Sequence, residues 1–454
     1  MRRPLLDRSW AEGLLDYLRV LVDLRVLSRK QISSYESNLD SENWLPAALD
    51  LPLALPEETR SPAKSGNASD AQWFREQTRL RLQSLHQLVR SHSPWWLPEF
   101  SLLRNDSVVN ARLMDLVPLQ QQPRAISDLE DRLARAMASV PDEDRFLYEG
   151  LQQLLPEAKS NALRLIDELR RIAVEAERLG DNMDFAFLLN PHRKLMSVGY
   201  DVQSQQLQPA CYDLLATESR TAIFAAIAKE DIPQDTWFLL GRGHTLDHGR
   251  PVLLSWTGTM FEYLMPALWM RSFSNTLLER SRVAAVRSQQ AFAASRGIPW
   301  GISESAYFKL DEAGNYQYQA FGLPQLSLMK RESKALVISP YSTFLALNVD
   351  PSAALENLRR MENLGWNGAY GFYEAADYTI FRSRFRWSRC QVVRCWMAHH
   401  QGMSLLSIAN FLCGNVVQRW FHTDRRVQAT ELLLHEKPVS HVRPAELPYG
   451  SAAA

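Results

Sequence analysis

The sequence predicts an all-α fold: helix pairs arranged as an α/α toroid, joined by a small β-hairpin to an N-terminal helical connector. Three observations predict it. Leucine and isoleucine recur at three- and four-residue steps along much of the chain, the period of a helix with one apolar face. The nineteen glycines are segregated, with only Gly13, Gly66, Gly150 and Gly180 lying before residue 181. The repeated β-branched strands that an α/β sheet enzyme places between its helices are missing.

Taken in order, Leu14, Leu15, Leu18, Leu21, Leu24 and Leu27 open the first helical block. Residues 61–69, rich in Ser, Gly, Asn and Ala with one Pro, read as a surface loop. Leu80, Leu82, Leu85 and Leu88 form a second block, and Leu163, Leu165, Ile166, Leu169 and Ile172 a third. Asp142, Glu143 and Asp144 follow Pro141 and read as the cap of a helix, not as a metal-binding acidic triplet. From about residue 182 the texture changes. Residues 183–200 suggest a two-stranded hairpin, and helical patterns over 214–228, 262–271, 278–296, 353–364 and 392–412 alternate with loops rich in glycine, aromatic and acidic residues. The expected organisation is a helical connector over 1–180, an α/α domain over 181–435 and a linker-like tail over 436–454.

The chain has 454 residues, with 51 Lys+Arg against 51 Asp+Glu. A zero net charge argues against a nucleic-acid partner, which calls for a basic surplus, and against a polybasic membrane-surface protein. Cys211, Cys390, Cys395 and Cys413 are too few and too scattered for a disulfide framework, and none forms a C-x-x-C pair, so reduced thiols in a cytoplasmic setting are expected. No signal peptide is visible behind the basic start, and no run approaches the ~18 apolar residues of a membrane helix. The nearest, 405–417, is interrupted by Ser407, Asn410 and Asn415.

Five short segments concentrate carboxylates or imidazoles beside aromatics and glycines: 212–218, 255–263, 299–307, 371–378 and 397–404. A sugar site needs this mixture. Aromatic rings stack on the apolar face of a pyranose, polar groups read its hydroxyls, and two carboxyls flank the scissile bond. Each residue also has a plainer reading. Glu262 or Glu374 at a helix start would complement the helix dipole, and Phe261 or Tyr307 would serve as ordinary core. His399 and His400 are adjacent, so they point to different sides of a helix, and no metal or other cofactor is expected. Ser327 and Lys330 fit a serine–lysine spacing without companion motifs, and Gly241-Arg242-Gly243 lacks the third glycine of a dinucleotide loop.

At residues 183–200, 212–220, 255–266, 297–307, 316–324, 371–378 and 397–405, in that order, the sequence resembles the glycoamylase-like domain of cyclic β-1,2-glucan synthases. The resemblance implies an (α/α)6-toroid-like glycoside hydrolase domain that cleaves a linear β-1,2-glucan and transfers it onto its own other end with retention at the anomeric carbon. Related proteins hydrolyse the same glucan. Carried over by position, Glu304 is the expected acid/base and Glu218 the expected nucleophile, roles the two could exchange. Glu262, Glu374, Trp300, Tyr307, Tyr373, His399, His400 and Gln401 are then expected to line sugar subsites. Two rivals stand beside this: an inverting β-1,2-glucanase with Asp213 or Asp377 as base, and a non-catalytic glucan-binding or assembly fragment of a synthase. The synthases are large membrane proteins carrying a glycosyltransferase before this region and a phosphorylase-like module after it. A truncated or split product, with the toroid incomplete and its partners the other modules of a membrane-bound synthase, is the expectation.

Overall fold

The structure, a computed structural model, describes residues 3–39, 41, 43–52, 67–111, 114, 117–329, 335–368, 370–379 and 390–438. Most of the surface loop expected at 61–69 and most of the linker-like tail lie outside the described residues. The chain divides into two compact units, 1–180 and 181–454. It is largely helical, and among the described residues the sheets have only two or three strands. The helical class expected from the sequence therefore holds.

The first unit is built on helices Ser9–Asp23, Arg29–Leu39, Trp44–Leu49, Asn67–His92, Gln122–Ala136 and Asp142–Asn182. Ser9–Asp23 buries Leu14, Leu15, Leu18 and Leu21 on one face. It ends where Arg25 takes a positive φ of 61° and the Val26 amide turns back to the Leu21 carbonyl, so Leu24 and Leu27 lie beyond the helix. Gln122–Ala136 shows the same logic at positions 126, 129 and 133, each wholly buried. Trp95, Trp96 and Phe100 fill the same core from two short 3-10 turns. Asp142, Glu143 and Asp144 occupy the first turn of the long helix, where their charge meets the exposed amides. Its third apolar run departs from expectation. Ile166 is buried, but Leu163, Leu169 and Ile172 are exposed, because the run lies past Ala158, the last residue of this helix in the core.

In the second unit helices are shorter and more strongly capped. Thr259 forms a reciprocal capping box with Glu262 at the start of Met260–Leu264. Thr276 caps Leu277–Ala294, and Asp350 caps Pro351–Asn363 with Pro351 at the first turn. The hairpin expected over 183–200 is present as Leu189–Asn190 paired antiparallel with Leu195–Met196. Three helical expectations are corrected. The 214–228 pattern becomes helical only at Arg220–Ala228; the 262–271 pattern closes as Met260–Leu264 and a 3-10 turn Met265–Leu268. The 392–412 pattern begins as a strand, Gln391–Val393, and its helix is Ala398–Leu412. The β-branched pair Val392–Val393 favours the strand, the edge of an antiparallel sheet with Ala375–Asp377 and Val337–Ile338.

Candidate active site

Four extended segments lie side by side and bring distant loops together: Leu214 bridges Gly241 in parallel, Ala216 bridges Ser255, and Ser255 bridges Ser327. The segment leading to Glu218 thus runs beside the one leading to Glu262. Arg220 locks them. Its buried guanidinium donates to the carbonyls of Thr217 at 2.9 Å, Glu262 at 2.8 Å and Tyr263 at 2.8 Å. Burial pulls this guanidinium down to about 10, against the nearby charge of Glu218.

Glu304 closes a loop whose backbone is held from several sides. The side-chain amide of Gln289 makes two 2.9 Å hydrogen bonds, donating to the Ile302 carbonyl and accepting from its N–H. Asn357 does the same for Trp300, at 2.8 and 3.1 Å. Ser303 Oγ accepts from the Phe261 amide and hydrogen-bonds the Tyr341 hydroxyl at 2.8 Å, and that hydroxyl reaches the Glu304 carbonyl at 3.1 Å. Gly301 is required here: φ is +128°, and a Cβ would lie 2.7 Å from Ser342 Oγ. Gly322 is required for the next loop, since a Cβ there would overlap the Thr257 carbonyl oxygen.

The electrostatics join Glu218 and Glu304. Burial, then the charge of Glu218, push the Glu304 carboxyl up to about 7, against a hydrogen bond from Tyr318 that favours its anion. Burial also raises Glu218, with the Glu262 charge adding to it. Burial raises Tyr212 as well, and both Glu218 and Glu304 contribute, so all three groups share one neighbourhood. Like charges brought together out of water cannot both ionise freely, so the Glu218 charge favours a protonated Glu304.

The remaining expected site residues divide. Glu374 and His400 are buried, at 2% and 1% exposure, and the His400 Nδ1 lies 2.8 and 2.9 Å from the two Glu374 oxygens. The Tyr341 ring stacks on His400 with centroids 3.7 Å apart and planes within 8°. His400 Nε2 lies 3.3 Å from the Tyr318 hydroxyl. His399 is exposed beside Tyr318, and partial desolvation by its neighbours, with His400 adding to it, lowers its imidazole. Tyr373 packs against Trp396 at 5.0 Å, next to the exposed Tyr370. Gln401 donates to the Phe372 carbonyl at 3.1 Å, and the Tyr307 hydroxyl to Gln317 at 2.6 Å.

Two more expected residues, like Glu374 and His400, are buried away from any open subsite. Trp300 is a core side chain, buried because its loop folds back over Pro351–Asn363. Glu262 is buried with five donors from its own loop on its carboxylate: Ser255 Oγ, and the amides and hydroxyls of Thr257 and Thr259, at 2.8–3.1 Å. The plainer expectation for Glu262, a carboxylate at a helix start, fits its place in the capping box. Of the rival bases, Asp377 is buried and accepts from the Phe308 and Thr379 amides, and Asp213 accepts from Arg193 and the Trp256 indole. Ser327 donates to the Trp256 and Met329 carbonyls; Lys330 lies outside the described residues.

Sequence reasoning did not single out Tyr318, Tyr341, Arg220 or Gln289. The Tyr-Gln-Tyr-Gln run at 316–319 was the one available signal, since a period of two places both tyrosines on one face of a strand. No group of three or more His, Cys, Asp or Glu among the described residues is placed to hold a metal ion.

Residues 212–425 match the Glycoamylase family model, described as a putative glucoamylase. This stretch is a glycoamylase-like domain. A helical toroid is consistent with it. Over 279 residues, 61% of this chain, the sequence is 43% identical to the cyclic β-(1,2)-glucan synthase NdvB of Rhizobium meliloti (strain 1021). The chain spans about a tenth of the length of that curated relative. The glycoamylase-like domain and this relative support a glycosyl-transferring or glycoside-hydrolysing activity on carbohydrate. Among the described residues no helix is long and apolar enough to cross a membrane.

Proposed function

We propose that the unit over 181–435 acts on β-1,2-glucan by anomer-retaining transglycosylation, closing a linear chain into a ring, or by hydrolysis, with Glu218 and Glu304 as the reacting carboxyls. The observation that carries the reading is the elevation of Glu304: its carboxyl is pushed up to about 7 by burial and by the charge of Glu218. A retaining glycosidase needs such a pair, one member protonated to donate to the leaving oxygen and one ionised to attack the anomeric carbon. A carboxyl pushed up to about 7 keeps much of its proton near neutrality, which suits the acid/base role expected from its position. Passing that proton away exchanges the roles, and Tyr318 permits this because its hydroxyl can donate to the Glu304 anion or accept from the protonated acid. Glu262 shapes the loop and contributes its charge. Tyr373, Trp396, His399 and Gln401 offer aromatic and polar surface for neighbouring sugars. The relative's name and a chain without net charge support this substrate class.

The test is incubation of the full chain with linear β-1,2-glucan, with products read by mass and by anomeric NMR. Cyclic or shorter products with retained configuration are expected, and Glu218→Gln and Glu304→Gln should each lower kcat by about 10³-fold or more. Azide added to Glu218→Ala and Glu304→Ala assigns the roles: the variant that returns a glycosyl azide of inverted configuration has lost the nucleophile. Inverted products from the unmodified chain would overturn the retaining mechanism. Binding without turnover would leave the non-catalytic reading standing.

A further inference from the structure

We propose that His400, held between Glu374 and Tyr341, is a proton store for Glu304, and that Tyr318 is the bridge through which the proton passes. The inference rests on the reading of Glu304 as a reacting carboxyl and deepens it. His400, Glu374 and Tyr318 act in it as positioning residues, through Glu304 and not on the sugar.

The hydrogen bonds form one line. Glu374 faces His400 Nδ1 with both oxygens, at 2.8 and 2.9 Å, while its Oε1 also accepts from the Ala306 amide. His400 Nε2 faces the Tyr318 hydroxyl at 3.3 Å, and that hydroxyl neighbours the Glu304 carboxyl closely enough to favour its anion. A tyrosine hydroxyl has one proton, so the line runs one way or the other through Tyr318, and two arrangements keep Glu374 ionised. In the first, the Glu304 O–H donates to the Tyr318 oxygen, the Tyr318 O–H donates to Nε2, and Nδ1–H donates to the Glu374 carboxylate. In the second, the Glu304 O–H bond has broken as the Tyr318 oxygen gained that proton, and the Tyr318 O–H bond has broken as Nε2 gained the other. Glu304 is then anionic and His400 is an imidazolium paired with Glu374. Two protons have each moved one step, the net charge of the line is unchanged, and no other reagent is needed.

The groups facing His400 support the exchange. The Glu374 carboxylate compensates the imidazolium. Tyr341 covers one face of the ring with its own hydroxyl tied to Ser303 and Glu304, and burial raises that hydroxyl well above the usual phenol range, so it stays neutral. His399, with its ring 4.0 Å away, opposes a second positive charge. Burial, then the Glu374 charge, raise the Cys395 thiol to about 11, which keeps it neutral too. A histidine held only as a structural partner of Glu374 needs no acceptor or donor at Nε2, and here Nε2 points at Tyr318, whose hydroxyl also acts on the Glu304 carboxyl.

The test uses the full chain labelled with 15N-histidine, with imidazole nitrogen shifts followed from pH 5 to 8 in the unmodified protein, Tyr318→Phe and Glu304→Gln. Both substitutions are nearly isosteric, and thermal melts verify folding. His400 resonances are assigned by their loss in His400→Asn. In Glu304→Gln the His400 midpoint should fall by about one pH unit, tenfold in proton affinity, because the anion that stabilises the imidazolium is gone. Tyr318→Phe keeps both charges and cuts the bridge, so its midpoint should move most of the way to that of Glu304→Gln. Coincident midpoints in all three proteins would overturn the proposal. So would a Tyr318→Phe midpoint equal to that of the unmodified protein, which would mean that the charges act through space alone. The readout does not use turnover: a chain inactive on β-1,2-glucan that still shows these shifts would sink the glucan reading and keep the proton coupling.

Discussion

The two units solve the same packing problem with different residues. In the first, the polar side chains buried among the described residues are Thr78, Ser93, Gln122 and Asn161, and none can ionise. In the second, Arg220, His244, Glu262, Glu374, Asp377, His400 and His422 are all buried, each inside a network of backbone or side-chain partners. An apolar core tolerates imprecision, because hydrophobic attraction has no direction. Buried charge does not, since each group must find its partners or cost several kcal/mol. The second unit accepts that cost around Glu218 and Glu304, where rigid polar scaffolding fixes the carboxyls and low polarity tunes them.

If that contrast is sound, the most damaging single change in the second unit is polar. Glu262→Ala should lower unfolding stability by on the order of 4 kcal/mol, because buried donors of Ser255, Thr257 and Thr259 lose their acceptor; denaturant unfolding measures it. A loss under ~1 kcal/mol would show that water replaces the carboxylate and would break the comparison. In the first unit the equivalent change is apolar: Leu129→Ala, at a wholly buried position, should cost about 3 kcal/mol through its cavity. The pH profile of any turnover should not move.

The smallest effect runs the other way. Glu304 is raised from 4.5 to about 7, so the folded protein holds that proton more tightly than the unfolded chain does. Its contribution is fully present below about pH 4.5 and is lost as pH rises through 7. Glu304→Gln should therefore stabilise the protein by about 2 kcal/mol at pH 8, with the gain in Tm shrinking toward pH 4. The same elevation places the alkaline limb of kcat/KM near pH 7, where the pair loses its last proton. An enzyme still fully active at pH 9 would contradict the shared proton.

Much of the helical architecture was legible, because apolar spacing reports directly which face of a helix is buried: Leu14, Leu18 and Leu21 in one unit, Ala354, Leu358 and Met361 in the other. The segments rich in carboxylates and aromatics were also legible, as local departures from that spacing. What lay outside the sequence's reach was pairing across distance. Nothing near Glu374 announces that His400 is its partner, or that Tyr318 joins His400 to Glu304. Periodicity also misplaced 392–397, because a short apolar run fits a strand edge as well as a helix turn. Glu262 carried one signal, the Thr-x-x-Glu capping spacing, which describes its contacts but not its charge on Glu218.

Ser255 touches two chain segments at once, Ala216 on one side and Ser327 on the other. Those contacts close loops of dozens of residues, and such closures form late, after local helices have gained their own stability. The carboxyl pair is thus assembled only when nearly all of the second unit has folded. A nascent or half-unfolded chain carries the helices without bringing the two carboxyls together.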